Sequence, residues 1–522
     1  MISTEMIINF IKSVINANTK NLNFEFSQEI TFFFKFNFAV CNISLVLIVV
    51  SLIVNLVIFF FFNRVSVINS IVKYLNMIII ICVFILISLK FYISLKIECA
   101  LGVDLLSLKL QFYNKNPNIS SIETYMLFSS SFGDAIMVLC LIVGIICLDI
   151  LGSKNLLNNI NNISIFFLFT FFILIMSSTS NLLIMFISFE FIFLPTIYFA
   201  FSLGYTKKID SSSKMLIYWT LFGSFLVLSN LGYLFYQYKT LNYFVLIQKT
   251  FSNNELTFLL INFIIGFGIK VPVAPLHFWL LKVHVEAPTA FSIYLSGFLV
   301  KSALYCLYMF MTLFKTSNLY SYILVWVLYS LIIGTVGLAR QVDIKKLIAW
   351  ATVQEMSFIL LFLILKQLVL THTCILFMIL HGLMSSYMFY LVDILQRRYK
   401  TRSLKLIAGV NLYFPELTKY IWFLILLFSG FPLTIKFFIE WSLVSLLLET
   451  NQYILLLVLF FINFLGVIFF CRVMFYIIYG IPTKQDKDLE YYDIQTNEKI
   501  ILKTLSLMIL STLFIMYLIM CV

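Results

Sequence analysis

Residues 266–301 read GFGIKVPVAPLHFWLLKVHVEAPTAFSIYLSGFLVK, and the charge inside this stretch decides the fold. Lys270 and Lys301 each sit within a run otherwise suited to lipid, and between them lie three prolines, two histidines and Glu286. An ionisable group at the centre of a membrane helix costs roughly 2.5–3.5 kcal/mol on insertion scales, so two in succession call for partners, water or a function. Pro272 and Pro275 come just after Lys270. Proline removes a backbone donor and clashes with the preceding turn, so the helix is expected to break there. Lipid tolerates loosened backbone only where protein or a wet cavity surrounds it. A broken helix bearing a mid-membrane lysine is what an ion path through protein requires.

Working outward, the chain keeps the same solvent. Of 522 residues, 62% are hydrophobic and 11% charged, and the mean hydropathy is +1.04, far outside the usage of soluble domains. The expected fold is therefore an all-α polytopic membrane protein. Apolar runs of about 18–25 residues are long enough to cross a bilayer as helices. They recur at 41–62, 74–95, 125–150, 162–179, 182–205, 214–237, 256–275, 286–314, 319–338, 344–365, 371–395, 417–447, 452–480 and 500–521, about fourteen in all. Before them, residues 1–40 are mixed and weakly patterned, and are read as an uncleaved amphipathic extension rather than a signal or transit peptide.

A second interruption, SGFPLTIKFFIEW at 429–441, falls five spans after the first. Paired interruptions in corresponding places point to inverted repeats with a transport site between them. The division expected is an extension at 1–40, three spans over 41–150, two inverted five-helix repeats over 151–315 and 316–480 with one broken helix each, and a hydrophilic loop with a last span over 481–522.

The net charge of +12 sits mainly in connections. Loops after odd-numbered spans carry Lys207, Lys208, Arg340, Lys345, Arg397, Arg398 and Arg402, which turns them towards the cytoplasm or mitochondrial matrix. Nucleic acid binding has no support beyond charge. Nine cysteines lie scattered through the chain without a CxxC pair or zinc spacing, and read as small core residues.

Six ionisable groups fall at similar depth in the spans: Glu190, Lys270, Lys301, Glu355, His381 and Glu440. For any one alone the alternative is a structural ion pair or a snorkelling side chain. Six at one level read as a proton relay, since burial and a neighbouring opposite charge shift carboxylate and amine in opposing directions, and imidazole titrates near neutrality.

Four stretches carry a resemblance: SFEFIFLPT at 188–196, the 266–301 block, GLARQVDIKKLIAWATVQEMSF at 337–358 and HGLMSSYMFYL at 381–391. Together they resemble the antiporter-like chains of the proton-pumping NADH:quinone oxidoreductase, respiratory complex I, over roughly 125–480. Within that resemblance, Glu440 sets this chain apart from family members that carry a lysine there, and from the member that adds a long lateral helix. The resemblance implies that Glu190 modulates Lys270, the central pumping lysine, that Lys301 and His381 relay the proton, and that Glu440 is the terminal site. His277, Lys282, His284 and Glu286 match the family around the break, where satisfying loosened backbone is an equally good reading.

Two positions depart from that pattern. Glu355 stands where the family usually has histidine, so it must be neutralised by burial or paired. Lys436 stands where a small residue is usual, four residues before Glu440, within helical pairing distance.

The function expected is proton translocation coupled to NADH:ubiquinone electron transfer in other subunits. This chain would hold no cofactor, with NADH, FMN, iron–sulfur clusters and ubiquinone elsewhere, and no metal. Partners would be membrane-arm subunits, especially antiporter-like chains 2 and 5, together with membrane lipids. The alternatives are a subunit of a cation/proton antiporter, which would move sodium without NADH, and a passive scaffold, which would survive loss of Lys270 and Lys301. Usage rich in Phe, Ile, Leu, Asn, Lys and Tyr suits an organellar gene and hence the mitochondrial inner membrane, the other address being a bacterial plasma membrane.

Overall fold

Backbone surrounded by lipid must satisfy its own hydrogen bonds, and helices do this within one segment. In the computed structural model, which describes residues 39–53, 78–94, 130–153, 160–202, 207–314, 319–365, 368–481 and 493–520, helices dominate throughout. The described residues contain no strand, only isolated bridges pairing Asn181 with Asn242 and Asp343 with Ser403. The N-terminal extension lies outside the described residues apart from its last two positions.

The long helices are α1 (Ala39–Ile53), α2 (Ile78–Ser94), α3 (Ser131–Ser153), α4 (Ile160–Ser178), α5 (Leu182–Ser202) and α6 (Lys207–Tyr238). Then follow α7 (Asn253–Lys270), α8 (Phe278–Glu286), α9 (Thr289–Leu313), α10 (Leu319–Ala339), α11 (Ile344–Ile364) and α12 (Leu368–Tyr399). The chain continues through α13 (Pro415–Phe428), α14 (Ile435–Glu449), α15 (Tyr453–Tyr479) and α16 (Thr496–Met520). Among the described residues six helices are long and apolar enough to cross a membrane by themselves: α6, α9, α10, α11, α12 and α15.

Burial sorts these helices into centre and rim. The apolar windows of α9 and α12 are 100% buried and that of α11 is 94%, against 22% for α15 and 33% for α6. The helices carrying Lys301, Glu355 and His381 are thus the middle of the bundle. By contrast α15, apolar on every face, turns Ile454, Leu457, Phe460 and Phe464 outward, as a lipid-facing helix does.

Both interruptions are real breaks, and the first differs from the expected span. Read as 256–275, that span ends in fact at Lys270, and residues 278–286, left between two spans, form the second half-helix α8. Pro272 and Pro275 cannot donate, so carbonyls at the end of α7 lose their helical partners. Protein supplies replacements: the Trp279 indole donates to the Ile269 carbonyl at 2.7 Å, and Ser330 Oγ accepts from the Ala274 amide at 3.0 Å. In the second break Gly430 takes φ +64°, a left-handed conformation that glycine adopts without penalty, while Leu433 holds φ +87°.

Candidate functional site

Lys270 is the last residue of α7, so the break places its ammonium at a helix end inside the protein. It donates to Glu190 of α5. Phe189 and Phe193, one turn apart on α5, present their rings to the same ammonium, with centroids at 4.4 and 5.0 Å. Residues three and four apart share one helix face, which is why a carboxylate and two aromatic rings from one segment can surround a single cation. Lys270 is fully buried, whereas the Glu190 side chain is 27% exposed and so reaches the surface of the chain.

Lys301 is held differently. Within α9 the turn Leu295–Leu299 is a π-helix, in which the Val300 amide bonds the Leu295 carbonyl five residues back. The Lys301 ammonium donates to the carbonyl of Ser296 inside that widened turn. Tight packing accompanies the bulge: a Cβ on Gly382 of α12 would lie 2.8 Å from the Gly297 carbonyl. Gly382 follows His381, so the same close approach brings His381 up to α9. His381 is buried, lies within electrostatic reach of Lys301 and Lys436, and its Nδ1 has no hydrogen-bond partner.

The two departures from the family pattern meet in space. Lys436 of α14 donates to Glu355 Oε1 of α11 at 2.8 Å, and stands 4.0 Å from Glu440 Oε1 one turn further along α14. The pairing with Glu440 that sequence spacing suggests is therefore the looser of its two carboxylate contacts. Lys436 also donates to the Phe428 carbonyl at 2.8 Å, an acceptor freed where α13 ends, and its ammonium lies 4.2 Å from the Phe428 ring centroid. Glu355 and Lys436 are both buried; the Glu440 side chain is 21% exposed and rests against Gly430.

Of the residues expected around the first break, His277 and His284 are buried with no hydrogen-bond partner for any ring nitrogen. His277 packs against Trp350, and His284 stacks on Phe389 with centroids 4.8 Å apart. Glu286 is half-buried at the end of α8, and Lys282 is exposed.

Several buried charges escaped the sequence reading. Lys90 of α2 bonds Asp134 of α3 at 2.8 Å and the Cys41 thiol of α1 at 3.2 Å. Lys345, counted among loop charges, is buried and donates to the Ala287 carbonyl; Arg398 is likewise buried, against Glu498 at 2.6 Å. The signal available for the first pair was a lone lysine in the second span and an aspartate well inside the third. Among the described residues, no group of three His, Cys, Asp or Glu could hold a metal ion.

Two broken helices beside a central helix trio, with buried lysines paired to carboxylates at each break, are the features of an antiporter-like membrane subunit. A family described as NADH:quinone oxidoreductase/Mrp antiporter, TM, matches residues 179–466. The chain is 33% identical to NADH-ubiquinone oxidoreductase chain 4 of Paramecium tetraurelia over 353 residues, covering 68% of this chain and 74% of that one. It belongs to the NADH:quinone oxidoreductase/Mrp antiporter family, and within it to the NADH-ubiquinone oxidoreductase chain 4 proteins. The fold is shared with a chain of the Mrp complex from a Dietzia species, with a TM-score of 0.70 at 16% identity over 91% of this chain and 95% of that one. It is shared equally with a chain of respiratory complex I from Thermus thermophilus, with a TM-score of 0.70 at 12% identity over 90% and 96%.

Proposed function

We propose that the buried groups from Glu190 and Lys270, through Lys301, His381 and Glu355, to Glu440 are the path by which this subunit moves protons, with Lys436 as a supporting charge. The protein is a proton-pumping membrane subunit of NADH-ubiquinone oxidoreductase, a multi-pass protein of the mitochondrial inner membrane. Electron transfer from NADH to ubiquinone takes place in other subunits, which hold the FMN, iron–sulfur clusters and quinone; this chain contributes titratable groups. Its neighbours are membrane-arm subunits, especially the antiporter-like chains 2 and 5. Each five-helix repeat, 151–315 and 316–480, supplies one broken helix to the path.

One observation carries the reading. The two carboxylates at the ends of the path, Glu190 and Glu440, are the members that reach the surface, at 27% and 21% exposure, while Lys270, Lys301, Glu355 and His381 between them are buried. A structural pair needs no outlet; a relay needs one at each end. Withdrawing Glu190 from Lys270 leaves a desolvated ammonium whose proton is then easier to lose, and restoring the contact holds it again. Coupling from a neighbour therefore needs to do no more than move one carboxylate.

The test is Lys270→Met, and separately Glu190→Gln, in the assembled complex in sealed membrane vesicles. Coupled NADH oxidation and proton movement are expected to fall at least about tenfold, a barrier rise of about 1.4 kcal/mol, with the complex still present at normal abundance. Unaltered coupled turnover in both variants removes the proposed roles.

A further inference from the structure

We infer that Lys436 is itself a proton carrier, taking a proton from Glu355 and delivering it to Glu440, so that the hand-over to the terminal site runs through an amine. The inference deepens the proposed relay and rests on it.

The geometry carries it. One ammonium stands between two carboxylates from different helices, at 2.8 Å from Glu355 Oε1 and 4.0 Å from Glu440 Oε1. Lysine has a flexible four-carbon stem and three donors, so a shift of about an ångström exchanges one acceptor for the other. A pair present only to neutralise charge would have its lone pairs satisfied, because an unmatched buried polar atom is destabilising. Glu355 Oε2 is buried with no hydrogen-bond partner, which leaves an open basic site on this carboxylate. Glu440, by contrast, is partly exposed and takes a hydrogen bond from the Asn463 side chain of α15. The freed Phe428 carbonyl holds the amine by a neutral contact while it changes partner.

The proton balance closes in three steps. A proton arriving from the Lys301 and His381 side converts the Glu355 carboxylate to the acid and loosens its hold on the ammonium. Lys436 then turns to Glu440 and gives one proton to that carboxylate, leaving a neutral amine and a carboxylic acid. The amine takes the proton of Glu355, which restores the ammonium–carboxylate pair. One proton has passed from Glu355 to Glu440, and Lys436 ends as it began.

Arginine separates carrier from brace, because a guanidinium keeps the ion pair and cannot release its proton. In the full complex in sealed inner-membrane vesicles, Lys436→Arg is expected to assemble normally while coupled NADH oxidation falls at least about tenfold, again about 1.4 kcal/mol on the affected step. The neutral double variant Glu355→Gln/Lys436→Met is expected to do the same. It removes both charges together, which a merely structural pair tolerates. Coupled turnover above half of the unaltered level in either assembled variant overturns the inference, and so does failure of both to assemble, which would mark the pair as a packing element. Lys270→Met run alongside separates the two levels. If it abolishes coupled turnover while Lys436→Arg does not, the carrier role alone falls; if neither has any effect, the relay falls with it.

Discussion

Breaking one side of a buried ion pair leaves an uncompensated charge in a medium that cannot solvate it, typically destabilising by about 3–5 kcal/mol. Lys90 and Asp134, 5% and 2% exposed, form such a pair between α2 and α3, apart from the proposed relay. Asp134→Asn is accordingly expected to deplete the assembled complex and to lower the midpoint of its thermal unfolding in detergent. The double change Lys90→Met/Asp134→Leu should recover most of that loss without altering proton movement per NADH oxidised; a double variant as depleted as the single one would show that the pair is not self-contained. At this scale the sequence was informative about which residues matter and poor about whom they meet. Lysine, glutamate and histidine inside apolar runs are conspicuous, because oil penalises them wherever they point. A partner is visible in sequence only when it lies a turn away, so spacing pairs Lys436 with Glu440, whereas its nearer partner, Glu355, lies 81 residues earlier in the chain. Lys345 and Arg398 show the converse: placed beside loops, they read as solvated charge, yet a loosened carbonyl and a carboxylate draw them inward.

Elements set the spacing between those residues, and two of them depend on close backbone approach. The π-turn Leu295–Leu299 offers the Ser296 carbonyl to Lys301, and Gly382 lets α12 lie against that turn. A Cβ at position 382 would lie 2.5 Å from a Leu139 methyl as well as 2.8 Å from the Gly297 carbonyl, and the carbonyl belongs to backbone that cannot swing aside. Gly382→Ala should therefore push α12 away from α9, destabilising by about 1–3 kcal/mol as overpacked sites do and moving His381 off Lys301. The expected result is reduced coupled turnover exceeding the loss of complex on native gels; full turnover per assembled complex would mean that the His381 spacing is not critical. Proline announced the breaks, and hydropathy announced the longer helices. Half-helix α8 stayed hidden because nine residues containing Lys282 and His284 are too few and too polar to read as a span. The π-turn has no sequence signature beyond a glycine in an apolar run, since its existence depends on what packs against it.

For the molecule as a whole, the central trio α9, α11 and α12 is enclosed by rim helices and fastened at one end by the last helix. Arg398 of α12 bonds Glu498 of α16 at 2.6 Å and the Asp493 carbonyl at 2.7 Å, and the Asp493 carboxylate accepts from the Glu416 amide that begins α13, at 2.6 Å. Glu416 completes the clasp with Lys419 at 2.6 Å and Lys499 at 2.9 Å. These are groups at helix ends, where water is available. The ammonium groups of Lys419 and Lys499 hold the Glu416 carboxyl down to about 2 from its ordinary 4.5, and Glu416 in turn raises Lys499 above its ordinary 10.5. A carboxylate whose folded pKa is depressed contributes its stability above the unfolded value and loses it as pH falls towards the folded one; a raised lysine contributes below its unfolded value and loses it as pH rises. The clasp should accordingly be fully closed between about pH 4.5 and pH 10.5 and open progressively as acid approaches pH 2. Hydrogen exchange over the first turns of α16 in the solubilised complex measures this opening directly. Glu416→Gln is expected to speed exchange there at pH 7 and to flatten the acid-dependent rise. Since α16 grips α12, the helix that carries His381, the same variant should leave α5 and α7 undisturbed; faster exchange around Lys270 as well would mean that the clasp governs both halves of the bundle together.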